Sequence, residues 1–347
     1  MEFSDKLIDW YQGNKRDLPW RHTNDPYKVW LSEVILQQTR VAQGLSYYLK
    51  FERVFPTVFD LAAAPEELIL KTWQGLGYYS RARNMHSTAK QIVDDFDGKF
   101  PNSYDELILL KGIGDYTASA IASFCFGKKH AVVDGNVFRV LSRVFGIDTP
   151  IDSTLGKKNF KTLAEELICS DRPAIFNQAM MEFGALQCTP KSPDCTSCPL
   201  NNTCVAYSLN QVNDLPKKSK KVKKRNRYFE YLVILTSDNT IIQQRKEKDI
   251  WAKLFEFPLI EYSEAPDPEL VLADIGQFLK MDFSVVQKSM PIKHLLSHQN
   301  LFVRFWQLEL EDPPCNDGFI KVEMHELEQF AFPKVVDNYL KEVTIGT

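Results

Sequence analysis

No run in this sequence approaches the ~18 uninterrupted apolar residues of a membrane span. Residues 1–20 carry charges throughout and hold no apolar stretch of the kind a secretory leader needs. An intracellular protein is expected, acting as a monomer away from membranes, with a bacterial cytoplasm as its setting. Also missing is the even scatter of cysteines that staples a small secreted domain. Of seven cysteines, Cys125, Cys169 and Cys315 stand alone in apolar contexts and read as core thiols. The other four, Cys188, Cys195, Cys198 and Cys204, crowd into residues 188–204 with the spacing C-x6-C-x2-C-x5-C. Four thiolates so close in sequence can surround one metal centre, and a set of four cysteines suits zinc as well as iron–sulfur.

Acidic residues are absent from 217–227, where eight lysines and arginines fall together. The net charge of −3 conceals this strip, because residues 1–216 sum to −2 and residues 228–347 to −9. The strip reads as a solvated linker, as an arm that touches phosphates, or as both at once. Sequence texture changes here too. Before it, apolar residues recur at helical spacing, as in 107–110, 118–126 and 137–144. After it come strand-like runs at 228–236, 240–244 and 301–310, with helices expected at 268–279 and 324–329. No internal repeat is present. The chain therefore divides into a helical domain over 1–205, a basic linker over 206–227 and an α+β domain over 228–347.

The string Leu110-Lys-Gly-Ile-Gly-Asp-Tyr-Thr-Ala118 lies between two helix-like segments. Gly112 and Gly114 permit a tight reversal, and the second helix should begin at or just before Asp115. Its unpaired N–H groups and dipole favour an anion, such as a DNA phosphate. The whole string resembles the helix-hairpin-helix of base-excision DNA glycosylases. Twenty residues after Gly114 comes Asp134, in Val133-Asp-Gly-Asn136 ahead of an apolar helical run. Alone, Asp134 could be a simple N-cap. Glu33 lies in 26–39, where apolar residues surround the helix on nearly every side, so the helix should be buried. Desolvation should then raise the carboxyl pKa toward the range useful for proton donation near neutrality.

Together these strings resemble the MutY-type adenine DNA glycosylases, members of the helix-hairpin-helix superfamily that carry a cubane iron–sulfur cluster. The match also rests on Leu18-Pro-Trp-Arg21, Trp30–Thr39, Gly75-Leu-Gly-Tyr-Tyr-Ser-Arg81, Asn177–Ala185 and the four cysteines. It spans residues 18–204 and weakens beyond 228. The resemblance implies a multidomain chain: an all-α helix-hairpin-helix glycosylase domain with a 4Fe–4S cluster loop, plus an α+β Nudix-like C-terminal domain. It implies Glu33 and Asp134 as catalytic acids, with Tyr116 and Asn136 orienting them. Leu18, Trp20, Arg21 and Gln178 would form the adenine pocket. Gln38 and Tyr78 would wedge into the base stack, while Thr39 and Leu76 touch the opposite base. Leu18, Leu76 and Tyr78 also have a plain core reading. Gly112 and Gly114 would hold DNA phosphate, and the four cysteines the 4Fe–4S cluster.

Bifunctional relatives place a Schiff-base lysine where this chain has Tyr116, and a phenol cannot form that imine. A monofunctional enzyme is expected, with a bifunctional endonuclease III-like lyase as the rival and a non-enzymatic metal-bearing DNA-binding module as a further alternative. The segment 251–258 looks like a Nudix scaffold, yet 259–282 lacks the glutamate-rich helix that holds magnesium in working Nudix hydrolases. A binding role follows. Family members read 8-oxoguanine with a Phe-Ser-His loop, for which the match here is Leu296-Ser297-His298. His298 alone would read as a strand-edge histidine. The implied substrate is adenine opposite 8-oxoguanine, or opposite guanine, in double-stranded DNA.

Overall fold

The computed structural model describes residues 2–219, 224–236, 238–246, 249–310 and 318–345. Cys315 and the 220–223 part of the basic strip lie outside the described residues. Two compact units result. One comprises residues 1–64 with 84–220, the other 65–83 with 221–347.

The first unit is helical. Its helix Pro26–Leu36 starts at a proline, is capped by the Asp25 side chain, and buries Tyr27, Val29, Trp30, Leu31, Val34 and Ile35. Apolar residues surround this helix on nearly every side, Lys28 alone of its charged residues reaching solvent, so Glu33 is carried inside with them. Helix Asp115–Phe126 follows the hairpin and is similarly buried. Gly112 sits at φ +80°, where a side chain would also press on Asn84 at 2.7 Å. Gly114 has an ordinary extended backbone with open space at its Cβ position, so the tight turn depends on Gly112. Helices Gly135–Phe145 and Pro173–Leu186 pack on each other around Val137, Val140, Phe176, Ala179, Met180 and Phe183. The approach is close because Gly184 has no side chain: a Cβ there would lie 2.6 Å from the Asn136 Cβ.

The second unit is a mixed sheet covered on both faces. Its strands are β1 (Arg225–Thr236), β2 (Asn239–Gln244), β3 (Phe255–Glu256), β4 (Leu259–Tyr262), β5 (Ser284–Lys288), β6 (Ile292–Leu295), β7 (Gln299–Glu309) and β8 (Phe319–Glu323). The main path runs β3-β2-β1-β7-β5, with β4 on β1, β6 on β7 and β8 on β2. β1 and β7 are parallel, from Arg225 opposite Gln299 to Leu235 opposite Glu309. Successive β1 residues point to opposite faces. Phe229, Tyr231 and Val233 meet Val335, Val336 and Tyr339 of helix Lys334–Ile345. Leu232 and Ile234 meet Val271, Ile275 and Leu279 of helix Pro268–Leu279. Burial on both faces explains why β1 is apolar without clean alternation.

Two expected boundaries shift. The basic linker was expected to reach 227, but β1 begins at Arg225. Arg227 is drawn inside by Asp249 at 2.7 Å and Glu261 at 2.6 Å, so it belongs to the sheet. Residues 65–83, expected within the helical domain, cluster with the second unit. There Gln74 bonds Asp337 at 2.7 Å, Lys71 bonds the Phe330 carbonyl at 3.0 Å, and Arg83 bonds the Ala252 carbonyl at 2.9 Å. Among the described residues no helix is long and apolar enough to cross a membrane.

Candidate active site

A cavity of about 490 Å³ opens in the helical unit, lined by Glu33, Tyr116, Asp134, Asn136 and Gln178 together with Leu18, Trp20, Arg21 and Thr39. This volume is within the range that admits a nucleobase-sized ligand. Up to 160 positions separate these residues in the sequence, and the fold brings them to one cavity.

Glu33 is only 7 % exposed. Burial pushes its carboxyl up to about 7, assisted by the nearby Asp134 charge and opposed by a hydrogen bond from Tyr116 and by Arg21. The Tyr116 phenol, itself raised well above its ordinary range by burial and the two acids, keeps its proton, and its hydroxyl also donates to the Met181 sulfur at 3.5 Å.

Asp134 caps helix Gly135–Phe145. Its Oδ1 accepts the backbone N–H of Asn136 at 2.9 Å and of Val137 at 2.8 Å, while its Oδ2 accepts Asn136 Nδ2–H at 2.7 Å. Burial raises this carboxyl too, but those donors and the Arg139 charge work the other way. Of the two acids, Asp134 is therefore better supplied with donors, which favour its ionised form.

The segment leading into Asp134 is pinned from behind. Asn177, 1 % exposed, accepts from Val132 N–H at 3.0 Å and donates to the Ser123 hydroxyl and the His130 carbonyl, each at 2.9 Å. Lys161 donates to the Ala131 carbonyl at 2.7 Å and pairs with Asp115, the first residue of the hairpin's second helix, at 3.1 Å.

On helix Pro173–Leu186, Gln178, Met181, Glu182 and Ala185 share one face and line the cavity. The Gln178 Oε1 accepts from the Tyr11 hydroxyl at 2.8 Å, which fixes the amide. Leu18 and Trp20 are buried at the cavity wall, Trp20 edge-on to Tyr48 at 5.1 Å between ring centroids. Arg21 reaches Glu182 through two bonds of 3.0 and 2.7 Å. Arg16 does the same at 2.9 and 2.6 Å. Burial would raise the Glu182 carboxyl, yet these donors outweigh it and hold it at about 2. Sequence reasoning gave Glu182, Arg16 and Arg139 no role. The available signal was the helical spacing of Glu182 from Gln178, four residues earlier.

Gln38, with φ 54°, is exposed in the turn after helix Pro26–Leu36 and does not line this cavity. Tyr78, with φ 49° and 45 % exposure, belongs to the second unit with Leu76, Ser297 and His298. All four line a separate cavity of about 350 Å³ with Trp251 and His294. There the Tyr78 and Ser297 hydroxyls are hydrogen-bonded. Thr39 and Leu76, expected to touch one base, thus line cavities in different units.

The four clustered cysteines face a common small cavity beside helix Gly135–Phe145. Arg143 donates to the Cys188 sulfur at 3.4 Å and to the Thr189 and Pro190 carbonyls at 2.7 and 3.2 Å. Burial pushes the Cys198 thiol up to about 11, and its three cysteine neighbours add to the shift. Among the described residues, no three His, Cys, Asp or Glu side chains are set closely enough to hold a single metal ion. Cys125 and Cys169 are part-buried and free.

Residues 31–166 match the model of the HhH-GPD superfamily of base excision DNA repair proteins, and residues 230–342 match the NUDIX domain model. The chain is 36 % identical over 311 residues to the adenine DNA glycosylase of Buchnera aphidicola subsp. Baizongia pistaciae, covering 87 % of this chain and 84 % of that protein. It is 38 % identical over 317 residues to the adenine DNA glycosylase of Arabidopsis thaliana, covering 80 % of this chain but half of that longer protein. Among solved structures, a thermostable thymine-DNA glycosylase aligns over 60 % of this chain and 95 % of its own, with a TM-score of 0.56 and 31 % identity.

Proposed function

The chain belongs to the adenine DNA glycosylases, and from that premise we propose that it hydrolyses the N-glycosidic bond of adenine mispaired with 8-oxoguanine or guanine in duplex DNA. The observation that carries this reading is the pair of unlike carboxyls on one base-sized cavity, Glu33 pushed up to about 7 and Asp134 held by three donors.

Extrusion of the adenine from the stack brings it between these acids. Glu33 in its neutral form transfers a proton to adenine N7, which withdraws electrons from the glycosidic bond. That bond breaks, its electron pair leaves with the base, and positive charge grows on the deoxyribose. Asp134, ionised, stabilises that charge from a position its helix cap fixes. Water attacks C1′ and gives its proton to Glu33, now a base. The reaction has the logic of glycoside hydrolysis by two carboxyls in different environments. Tyr116 holds Glu33 by its hydrogen bond and Asn136 holds Asp134. Tyr116 supplies no amine, so the sugar forms no imine with the protein and the backbone stays intact.

Leu18, Trp20, Arg21 and Gln178 bind the base, the amide of Gln178 reading an adenine edge. Gln38 and Tyr78 enter the stack as wedges. The hairpin at Gly112 and Gly114 holds a phosphate by backbone N–H groups, a contact without sequence information. Thr39 and Leu76 touch the base opposite the adenine, and Ser297 and His298 read it.

The four thiolates of Cys188, Cys195, Cys198 and Cys204 fit a 4Fe–4S cluster. A cubane sets one iron against each thiolate and accepts wider-set sulfurs than one zinc, which draws all four to ~2.3 Å. When bound, the cluster cross-links the 188–204 loop; the hydrolysis proceeds on the residues above.

A single-turnover panel tests the whole reading. Duplexes with A, G, T or C opposite 8-oxoguanine are offered, and release from A alone, or from A far ahead of the others, is expected. Release from a pyrimidine at comparable rate refutes it.

A further inference from the structure

We propose that Glu182 is the positioning and charge-compensating residue of this pocket, holding Arg21 beside Glu33 while cancelling the charge that would strip Glu33 of its proton. This rests on the reading of Glu33 as the proton donor. Four arginines line the cavity, Arg16, Arg21, Arg40 and Arg139, and Arg21 is the one whose charge acts on Glu33. Such a cation next to a carboxyl that must stay neutral favours its ionised form. Glu182 is the anion set against Arg21 and Arg16. Its side chain is 1 % exposed, and each oxygen accepts from each arginine, at distances between 2.6 and 3.0 Å. The Arg16 backbone N–H adds a further bond at 2.8 Å. A carboxylate so enclosed is ionised at every pH the enzyme meets, so it is a fixed charge rather than a switch.

The groups that act on Glu33 come from three other elements: Tyr116 lies on helix Asp115–Phe126, Asp134 caps helix Gly135–Phe145, and Arg21 ends the turn Pro19–Arg21. Arg16, Arg40, Arg139 and Glu182 are the other charged residues of the same cavity, Arg139 bonded to Asn136 and Glu182 to Arg16 and Arg21. Asp134 and Arg21 are the charges that act directly on Glu33, and Glu182 enters through its pairing with Arg21. Tyr116 keeps its proton. Removing the charge of Glu182 alone leaves Arg21 and Arg16 uncompensated, and the proton on Glu33 is then lost at lower pH.

The test is the pH dependence of single-turnover adenine release by the full-length protein. The wild type should lose activity as pH rises through the Glu33 midpoint. Glu182→Gln should move that midpoint down by on the order of one pH unit, as one unit charge acting over roughly 10 Å at an effective dielectric of about 20 would do. Glu182→Asp keeps the charge and should keep the midpoint, whatever it does to the maximal rate. The double variant Glu182→Gln/Arg16→Gln removes one charge of each sign and should bring the midpoint back toward the wild type. Should Glu182→Gln fail to fold, Arg21→Gln tests the same field from the other side and should move the midpoint up. A wild-type limb that stays in place in Glu182→Gln, with the rate merely scaled down at every pH, overturns this inference alone. A wild-type profile without that limb overturns the Glu33 reading, and the inference with it.

Discussion

Asn136 donates its side-chain N–H to the Oδ2 of Asp134 at 2.7 Å while its backbone N–H reaches the Oδ1 at 2.9 Å, so one residue grips both oxygens of the carboxylate. Arg139 in turn holds the Asn136 Oδ1 at 2.8 Å and so fixes which end of the amide faces Asp134. Asn136→Ala removes one donor and the grip on the second oxygen. The expected outcome is a loss of roughly ten- to a hundredfold in single-turnover rate, as for a hydrogen bond to a charged group worth ~1.5–3 kcal/mol, with mismatch affinity unchanged. Equal losses in rate and affinity would assign Asn136 to DNA binding instead.

Glu33 also makes a statement about stability. Its folded pKa of about 7 lies above the ~4.3 of an unfolded glutamate. The folded state therefore binds this proton more tightly, and the stability so gained is complete below pH ~4 and is lost as pH rises through about 7. Glu33→Gln removes the penalty of a buried charge above that pH. Thermal unfolding should show the variant more stable than the wild type at pH 8–9, by about 4 kcal/mol at most, with the difference shrinking toward pH 5. A variant less stable at every pH contradicts this.

Legibility of the sequence followed the length of each signal. Helix Pro268–Leu279 was placed to the residue, because a proline start and a regular apolar period mark it. The hairpin was legible because φ +80° at Gly112 and a fresh helix at Asp115 both leave marks in residue type. Glu33 stands out in the sequence by its apolar surroundings, whereas Asp134 alone reads as a helix cap and is singled out only by the family resemblance. The Glu182 pairs could not, since Arg16 and Arg21 meet it across more than 160 residues of chain. Residues 65–83 fared likewise: their helical period is ordinary, and only tertiary bonds such as Gln74 to Asp337 show which unit they serve. The short strands β3, β4, β5, β6 and β8 were not anticipated; β5, for one, is exposed along its whole length and so carries no burial pattern.

The cysteine cavity carries its own test. Purified protein should absorb broadly in the visible with about four irons per chain, as a single cubane held by four cysteines requires. Cys198→Ser should lose that band and unfold at lower temperature. Stoichiometric zinc in a colourless, active protein would replace the cluster with a zinc site.

In the second unit, Ser297 and His298 share a cavity with Tyr78. Replacing both Ser297 and His298 by Ala should narrow the rate advantage of adenine opposite 8-oxoguanine over adenine opposite guanine, by about tenfold per lost hydrogen bond of ~1.4 kcal/mol. The A·G rate itself should hold. A uniform loss on both duplexes would place these residues in general DNA binding.

The most direct measurement is the single-turnover release of adenine opposite 8-oxoguanine by the wild type and by Glu33→Gln, followed from pH 5 to pH 9. The wild type should lose activity above a midpoint of about 7, where burial places the Glu33 carboxyl. Glu33→Gln should fall by roughly 10²–10⁴-fold or more at pH 6 while still binding the mismatch. Wild-type-like release by Glu33→Gln across that range would contradict the proton-donor role outright.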